Sequence, residues 1–405
     1  MLIRKGYKFR LKINSATEEQ LFRQAGSCRF VWNHMLALQK KALEFGRVLS
    51  YNRMAKLLTF WKKERYHFLR EAHSQALQQS LRDLDRALKD AFDPGQPLKR
   101  FPRFRKKGQR DSFRYPQGVR IEGRRVYLPK TGWTRFYKSR EIHGKLKNTT
   151  VSLKNGKWHA SFQVEVDIPN PVHPSSSSVG IDLGVIKFAT LSDGTEYKPL
   201  HSFRKLKDKL AKEQRRLARK KRFSSNWRKQ KLRVAKIYEK IANARRDFLH
   251  KVSTEISKNH ALIIMEDLNV KSMTASGRGT IQHPGYLVKV KALFNQSILD
   301  QGWHEFRRML EYKAKWTGGM VITVPQASTS TTCSKCGYDS EQNRPGLRRI
   351  FQCKRCGYRI DADLNAARNI LALGHRVTAC GSSLARGRKQ EPAGNREAVP
   401  LLKAI

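Results

Sequence analysis

The sequence predicts an α+β protein of several domains: a small antiparallel β-barrel interrupted by a helical domain, then an α/β sheet domain carrying a four-cysteine zinc ribbon. Three observations predict it. Strand-type alternation opens the chain and returns only after a long helical stretch. Two short, continuously apolar runs, Ala261–Met265 and Met320–Val324, lie among helical segments of the second half, as buried strands of a covered sheet do. Cys333/Cys336 and Cys353/Cys356 form two Cys-x2-Cys knuckles sixteen residues apart, a spacing within the zinc-ribbon range.

The elements follow in order. Tyr7–Ile13 alternates apolar residues with cations, which gives a half-buried strand with a phosphate-ready outer face. Thr17 with Gln20 reads as a capping box, and the pattern from there to about Phe92 is helical. Asp93-Pro94-Gly95-Gln96-Pro97 ends that domain, and Arg100–Lys107 then interleaves Phe101 and Phe104 with cations. Strand signals resume at Val126–Leu128, Val151–Leu153 and Trp158–Val166, the last two joined by Asn155-Gly156, a favoured two-residue hairpin turn. With the N-terminal strand these make the barrel. Pro171–Ser178 is a linker by composition, and Val179–Leu191 with the turn Ser192-Asp193-Gly194 reads as a strand hairpin.

From Arg204 to Arg246 there are 19 Lys/Arg against 3 Asp/Glu. Leucines 206, 210 and 217, then Val234, Ile237 and Ile241, keep helical spacing on either side of a bend at Phe223–Asn226. This is a long basic helical hairpin. Ile298–Thr317 is amphipathic and helical in pattern. Past Gly374 the chain is rich in Arg, Gly, Ser and Pro and loses its periodicity, so residues 380–405 are expected to form a disordered tail.

With 405 residues, 39% of them hydrophobic, the chain can fill more than one core. Its net charge of +50 exceeds what solubility needs and implies a polyanionic partner. No run approaches the roughly 18 apolar residues of a membrane span, and the start Met-Leu-Ile-Arg-Lys-Gly lacks a secretory core. The expectation is a cytoplasmic protein with no membrane partner. Four of the six cysteines lie in the knuckles, which favours metal over a disulfide framework. A site of four sulfur ligands is closed, so its single Zn2+ would be structural.

Asp182 sits in Gly-Ile-Asp-Leu-Gly, Glu266 ends the first apolar run, and Asp363 belongs to Asp361-Ala362-Asp363 just after the second knuckle. The first motif also opens nucleotide-binding domains of the actin group, but the glycine-rich phosphate loops of that group are missing. It suits instead a ribonuclease-H-like sheet with a carboxylate near the centre of its first strand. Three acids on three elements can hold two Mg2+, or Mn2+, through oxygen ligands and clamp a phosphodiester. The bland reading is that each acid is a solvated strand end or a cap, Asp361 or Asp363 being able to serve as an N-cap.

In this order, Gly-Ile-Asp-Leu-Gly, Ile-Met-Glu-Asp-Leu, Cys-Ser-Lys-Cys-Gly, Cys-Lys-Arg-Cys-Gly and Asp-Ala-Asp-Leu-Asn-Ala-Ala-Arg-Asn-Ile resemble the TnpB nucleases of bacterial transposons, relatives of the type V CRISPR nucleases. Arg29–Asn33, Phe101–Arg105, Ser297–Trp303 and Lys389–Pro392 extend the likeness over nearly the whole chain. The resemblance implies an oligonucleotide-binding-like wedge barrel (1–15 and 105–174), a helical recognition domain (16–104), a RuvC nuclease domain (179–325 and 358–378) and an inserted zinc ribbon (326–357). It implies catalytic, magnesium-binding roles for Asp182, Glu266 and Asp363, with Asp361 as a supporting acid. It also implies an RNA-guided DNA endonuclease whose partners are an omega RNA and a double-stranded DNA target with a short adjacent motif.

Tyr51 and the segment holding Gln75 and Gln78 fall where the family reads that motif, and glutamine amides suit base edges. Arg103, Arg105, Arg215, Arg216, Arg219 and Lys220 are expected on nucleic-acid backbone. The alternatives are a transposase that joins DNA ends with a similar triad, and a non-catalytic nucleic-acid-binding regulator.

Overall fold

The computed structural model describes residues 1–109, 111–280, 282–325, 329–344 and 349–384. They divide into two compact units, one of residues 1–170 with 221–236, the other of 171–220 with the described residues from 237 onward.

In the first unit, β1 (Leu2–Lys12) buries Ile3, Phe9 and Leu11 and leaves Arg4, Lys8, Arg10 and Lys12 exposed, the two-residue period of a strand. Helix α1 (Ser15–Glu44) is capped by Asn14, whose side chain accepts from the Thr17 N–H at 2.8 Å. The capping box expected at Thr17 is therefore not formed, because an equally strong cap precedes it where the strand ends. Helix α2 (Tyr51–Phe60) runs into a π turn at Trp61–Arg65 and a 3-10 turn at His67–Arg70, before α3 (Ser74–Phe92). Leu21, Val31 and Met35 of α1, Met54 and Leu58 of α2, and Leu77, Leu81 and Leu84 of α3 share one apolar cluster with Phe9, Phe113, Trp158 and Phe162. The inserted helices and the sheet are thus one core, each fully buried leucine contributing on the order of 2 kcal/mol.

That sheet adds β2 (Ser112–Tyr115), β3 (Arg120–Glu122), β4 (Arg125–Leu128), β5 (Gly132–Phe136), β6 (Lys145–Lys154) and β7 (Lys157–Asp167). Its order is β2-β6-β7-β1-β5-β4-β3, antiparallel throughout. A small antiparallel barrel was the sequence expectation; no ladder that would close one joins the edge strands β2 and β3 among the described residues. These edges have four and three residues, too few to offer a long closing ladder. The β6–β7 turn is as expected, Asn155 and Gly156 having φ of 51° and 73°, the two positive values a type I′ turn demands.

In the second unit, β8 (Ser178–Leu183), β9 (Ala189–Leu191) and β10 (Glu196–Tyr197) form an antiparallel meander. After the basic helices α4 (Lys207–Ala218) and α5 (Ser225–Asn259), β11 (Leu262–Glu266) pairs parallel with β8. The short α6 (Val270–Met273), α7 (Val288–Gln301) and α8 (Trp303–Thr317) lead to β12 (Met320–Val324), parallel to β11. The order is β10-β9-β8-β11-β12. The helix expected from Ile298 to Thr317 is two helices, because Gly302 between them has φ of 74°. The break expected at Phe223–Asn226 falls between α4 and α5, in residues of the first unit: Phe223 takes φ of 69° and Ser224 Oγ accepts from the Trp227 N–H at 3.1 Å.

Alternation splits this sheet's side chains between two layers. Val179, Ile181, Ile263 and Met265 pack with Leu249, Val252, Phe306 and Leu310 of α5 and α8. Ile264 packs with Val324 and with Ile370 of α9 (Ala362–Leu384), the helix on the other face. Gly180 lies under α9, where an added Cβ would collide with the Ala367 carbonyl oxygen; only glycine permits that approach. A two-stranded hairpin around the second cysteine knuckle, β13 (Ile350–Gln352) and β14 (Arg359–Asp361), precedes α9. Residues 380–384, expected in the irregular tail, are helical, and 385–405 lie outside the described residues. Among the described residues no helix is long and apolar enough to cross a membrane.

Candidate active site and zinc ribbon

Ile181 and Met265 are partners in the β8–β11 ladder, so Asp182 and Glu266, one residue further along each strand, are neighbours in register. Period-two alternation puts both on the α9 face. Helix α9 begins at Ala362, with Asp363 in its first turn. Burial, followed by the negative charges of Asp363 and Glu266, pushes the Asp182 carboxyl up to about 7. Burial and the charge of Asp361 hold Asp363 above its ordinary value as well. The structure thus brings together acids 182, 266 and 363, from three separated parts of the chain. Thr329 Oγ1 donates to Glu266 Oε1 at 2.5 Å.

The two acids of Asp361-Ala362-Asp363 make different contacts. Asp361 Oδ1 accepts from the backbone N–H groups of Asp363 at 3.0 Å and Leu364 at 3.2 Å, which makes it the N-cap of α9. Its other oxygen accepts from Lys187 Nζ at 2.8 Å. Burial works against its charge, but the lysine and the helix N–H groups outweigh burial and hold Asp361 below its ordinary value. Asp363 lacks that cap role and shares its surroundings with Asp182. Lys187 was invisible to sequence reasoning, since a single lysine in the β8–β9 connection belongs to no motif.

The four knuckle cysteines converge. Cys333 Sγ lies 3.7 Å from Cys356 Sγ and Cys336 Sγ 3.6 Å from Cys353 Sγ, and all four sulfurs lie within 4.8 Å of one another. A tetrahedral zinc with bonds of about 2.3 Å needs sulfur separations near 3.8 Å, so the donor set fits one structural ion. The two knuckles have the same backbone: the N–H of Gly337 donates to the Cys333 carbonyl at 2.9 Å and that of Gly357 to the Cys353 carbonyl at 3.0 Å. Both glycines have positive φ, 74° and 72°, as their place after each second cysteine requires.

Three asparagines lock the ribbon in place, and the sequence reading gave them no role. Buried Asn343 donates to the carbonyls of Thr331 at 2.9 Å and Tyr338 at 3.1 Å, and accepts from the Lys354 N–H at 2.9 Å, so it ties one knuckle to the other. From α9, Asn365 accepts from the Ser334 N–H at 3.0 Å and donates to the Thr332 carbonyl at 2.8 Å. Asn369, one turn on, donates to the carbonyls of Thr329 at 2.9 Å and Thr332 at 2.7 Å. Their four-residue spacing, which places both on one helix face, was the available signal.

The remaining expected contacts are dispersed. Tyr51 starts α2 with the Arg82 guanidinium 5.3 Å from its ring centroid. Gln75 is half-buried and Gln78 exposed, three apart near the start of α3. Arg103 is exposed, while its carbonyl accepts from Trp32 Nε1 at 3.1 Å. Arg105 stacks 3.5 Å from the Trp32 ring centroid, and its N–H donates to Asn33 Oδ1 at 2.8 Å; part of that cluster therefore anchors the loop to α1. Arg215, Arg216, Arg219 and Lys220 are all exposed along the end of α4, Arg216 paired with Glu213 at 2.8 Å.

Comparison with known proteins places this arrangement. A family model described as "Probable transposase" (OrfB_IS605) matches residues 161–277, one described as "Cas12f1-like, TNB domain" matches 303–370, and one described as "Helix-turn-helix domain" matches 1–47. The chain is 50% identical over 392 residues to "Putative RNA-guided DNA endonuclease InsQ" of Escherichia coli strain K12, covering 95% of this chain and 96% of that one. A Streptomyces pristinaespiralis protein with the same designation, less the suffix, is 31% identical over 421 residues and covered to 99% on both sides. A cryo-EM structure of a Cas12f1–sgRNA–target DNA complex aligns with 91% of this chain and 98% of that one, with TM-score 0.53 and 14% identity, a likeness of fold. With half of all aligned residues shared with one relative along almost the full length of both chains, this protein belongs to the TnpB (OrfB_IS605) family.

Proposed function

We propose that this protein is an RNA-guided endonuclease that cuts double-stranded DNA. The observation that carries the reading is the convergence of Asp182, Glu266 and Asp363 on one face of the second sheet, in a chain of net charge +50. Such crowded carboxylates are costly to keep ionised without a cation, and oxygen-only donors suit Mg2+ or Mn2+. When bound, a metal pair there would activate water and neutralise charge on the scissile phosphate. Within the chain, Asp182, Glu266 and Asp363 hold the donor oxygens, Thr329 orients Glu266, and Asp361 fixes the helix that carries Asp363. The second sheet with α9 acts as the RuvC nuclease domain (179–325 and 358–378), and the ribbon (326–357) as a target-strand contact.

In the same reading, residues 1–15 and 105–174 form the wedge barrel, and 16–104 form the recognition domain in which Tyr51, Gln75 and Gln78 read the adjacent motif. The partners are an omega RNA and a DNA target, in a bacterial cytoplasm. Purified protein should carry an RNA, and the complex should cut a DNA matching the guide end of that RNA when a suitable flank from a randomised library is present. Joined DNA ends instead of cut ones would make it a transposase, and binding without cutting by the intact acids would make it a regulator.

The exposed cations of α4 are proposed backbone contacts. Their dense like charges at helical spacings destabilise a bare helix by a few tenths of a kcal/mol per pair, and a bound polyanion relieves that strain. Neutralising Arg215, Arg216, Arg219 and Lys220 together should weaken RNA binding for every guide alike, and lower the slope of log affinity against log salt by about 0.7–0.9 per lost phosphate contact. An unchanged slope in a folded variant returns these residues to plain surface charge.

A further inference from the structure

Lys187 is the one ammonium with a direct contact to the acids at the start of α9 among the described residues, and its side chain is only 13% exposed. Its Nζ donates to Glu196 Oε1 at 2.6 Å and to Asp361 Oδ2 at 2.8 Å, and lies 4.0 Å from Asp363 Oδ2. Burying an ammonium is unfavourable unless carboxylates compensate it, and here Glu196 on β10 and Asp361 at the head of α9 both do so. The consequence falls on Asp361. Its Oδ1 is taken by the N–H groups of Asp363 and Leu364, and its Oδ2 by Lys187.

We propose that Lys187 is a positioning residue: it masks Asp361, so that Asp363 alone of the pair joins Asp182 and Glu266 in offering oxygen to a divalent cation. This rests on the reading of those three acids as a metal site. Both carboxylates at this helix start carry the hard oxygens that a divalent cation takes, and the cap alone leaves Asp361 Oδ2 open to one. An ammonium hydrogen-bonded to that oxygen, and only 4.0 Å from Asp363 Oδ2 without a hydrogen bond to it, removes the ambiguity. An ordinary stabilising ion pair would have no such effect on which acid binds metal.

The test uses full-length, zinc-loaded protein and two readouts: Mn2+ affinity from the electron-paramagnetic-resonance signal of free Mn2+, and guided DNA cleavage by the RNA complex at saturating Mg2+. In Lys187→Met a fourth carboxylate is unmasked and a nearby positive charge is lost, so Mn2+ should bind about threefold or more tighter. Cleavage should nonetheless fall about tenfold, the scale of losing an outer contact that orients a ligand. Lys187→Arg keeps the charge and should stay within about threefold of the unmodified protein on both readouts. In Lys187→Met/Asp361→Asn the asparagine still caps α9 but offers no anion, so both readouts should return toward the starting values.

Affinity and cleavage falling together in Lys187→Met would overturn the proposal, as would additive effects in the double variant. If the unmodified protein binds Mn2+ but cuts no guided target, the endonuclease reading fails, and the Mn2+ comparison alone decides the role of Lys187. If it binds no Mn2+ at the three acids, both fall.

Discussion

Asp363→Ala is expected to lower metal-dependent DNA cleavage by on the order of 10^3-fold or more, the scale of removing a group that meets developing charge in a transition state. RNA and target binding should stay nearly unchanged, because affinity comes from cations spread over the whole surface. Asp182→Ala and Glu266→Ala should behave alike, since each removes one of the converging donors. Asp361→Asn is the contrast. Asparagine caps a helix as well as aspartate does, so that variant should keep cleavage within about tenfold, and its α9 should melt where the original does. Single-turnover cleavage of a guided target, with RNA binding measured on the same preparations, gives the answer. Cleavage that survives in Asp363→Ala and disappears in Asp361→Asn would show that the cap and the ligand had been exchanged.

The second large effect is expected at the ribbon. Replacing Cys353, Cys333, Cys336 or Cys356 with serine should take the zinc content from one per chain to near zero by elemental analysis. A structural zinc site supplies about 10–16 kcal/mol of apparent binding energy, far more than a small two-stranded hairpin with a minor apolar cluster around Phe351 can provide itself. Limited proteolysis should then cut within 329–361, while both large sheets retain their circular dichroism. Cleavage should fall too. Asn365 and Asn369 hold the ribbon against the same helix that carries Asp363, and Thr329, at the start of that tethered segment, donates to Glu266. Stoichiometric zinc retained after a cysteine is removed would exclude this four-sulfur site.

Much of this architecture was legible because its signals are local. The apolar runs that became β11 and β12 need no partner to be recognised, and the Asn155-Gly156 turn is set by two residues that tolerate positive φ. The knuckles reveal themselves by spacing, and the basic hairpin by charge density with retained apolar period. The missed strands β2, β3 and β5 have three to five residues, too short for alternation to stand out. The expected continuous helix over Ile298–Thr317 failed at Gly302, where an apolar period continues across a glycine that the backbone uses to turn.

The sequence by itself therefore determined the family, the types of the longer elements, the cysteine set and the identity of the acids as candidates, since each is written in contiguous residues or in a fixed spacing. Only the tertiary structure shows what each acid touches. The resemblance ranks Asp363 above Asp361 without a physical reason; their contacts separate once α9 starts at Ala362 and Lys187, 174 residues away, arrives beside Asp361. The same holds for Asn365 and Asn369, whose partners lie more than thirty residues upstream, and for the first sheet, whose strand order follows from which strands pair. A hydrogen bond or ion pair acts over about 3–4 Å, and sequence spacing says nothing of which distant residues the fold will bring within that reach.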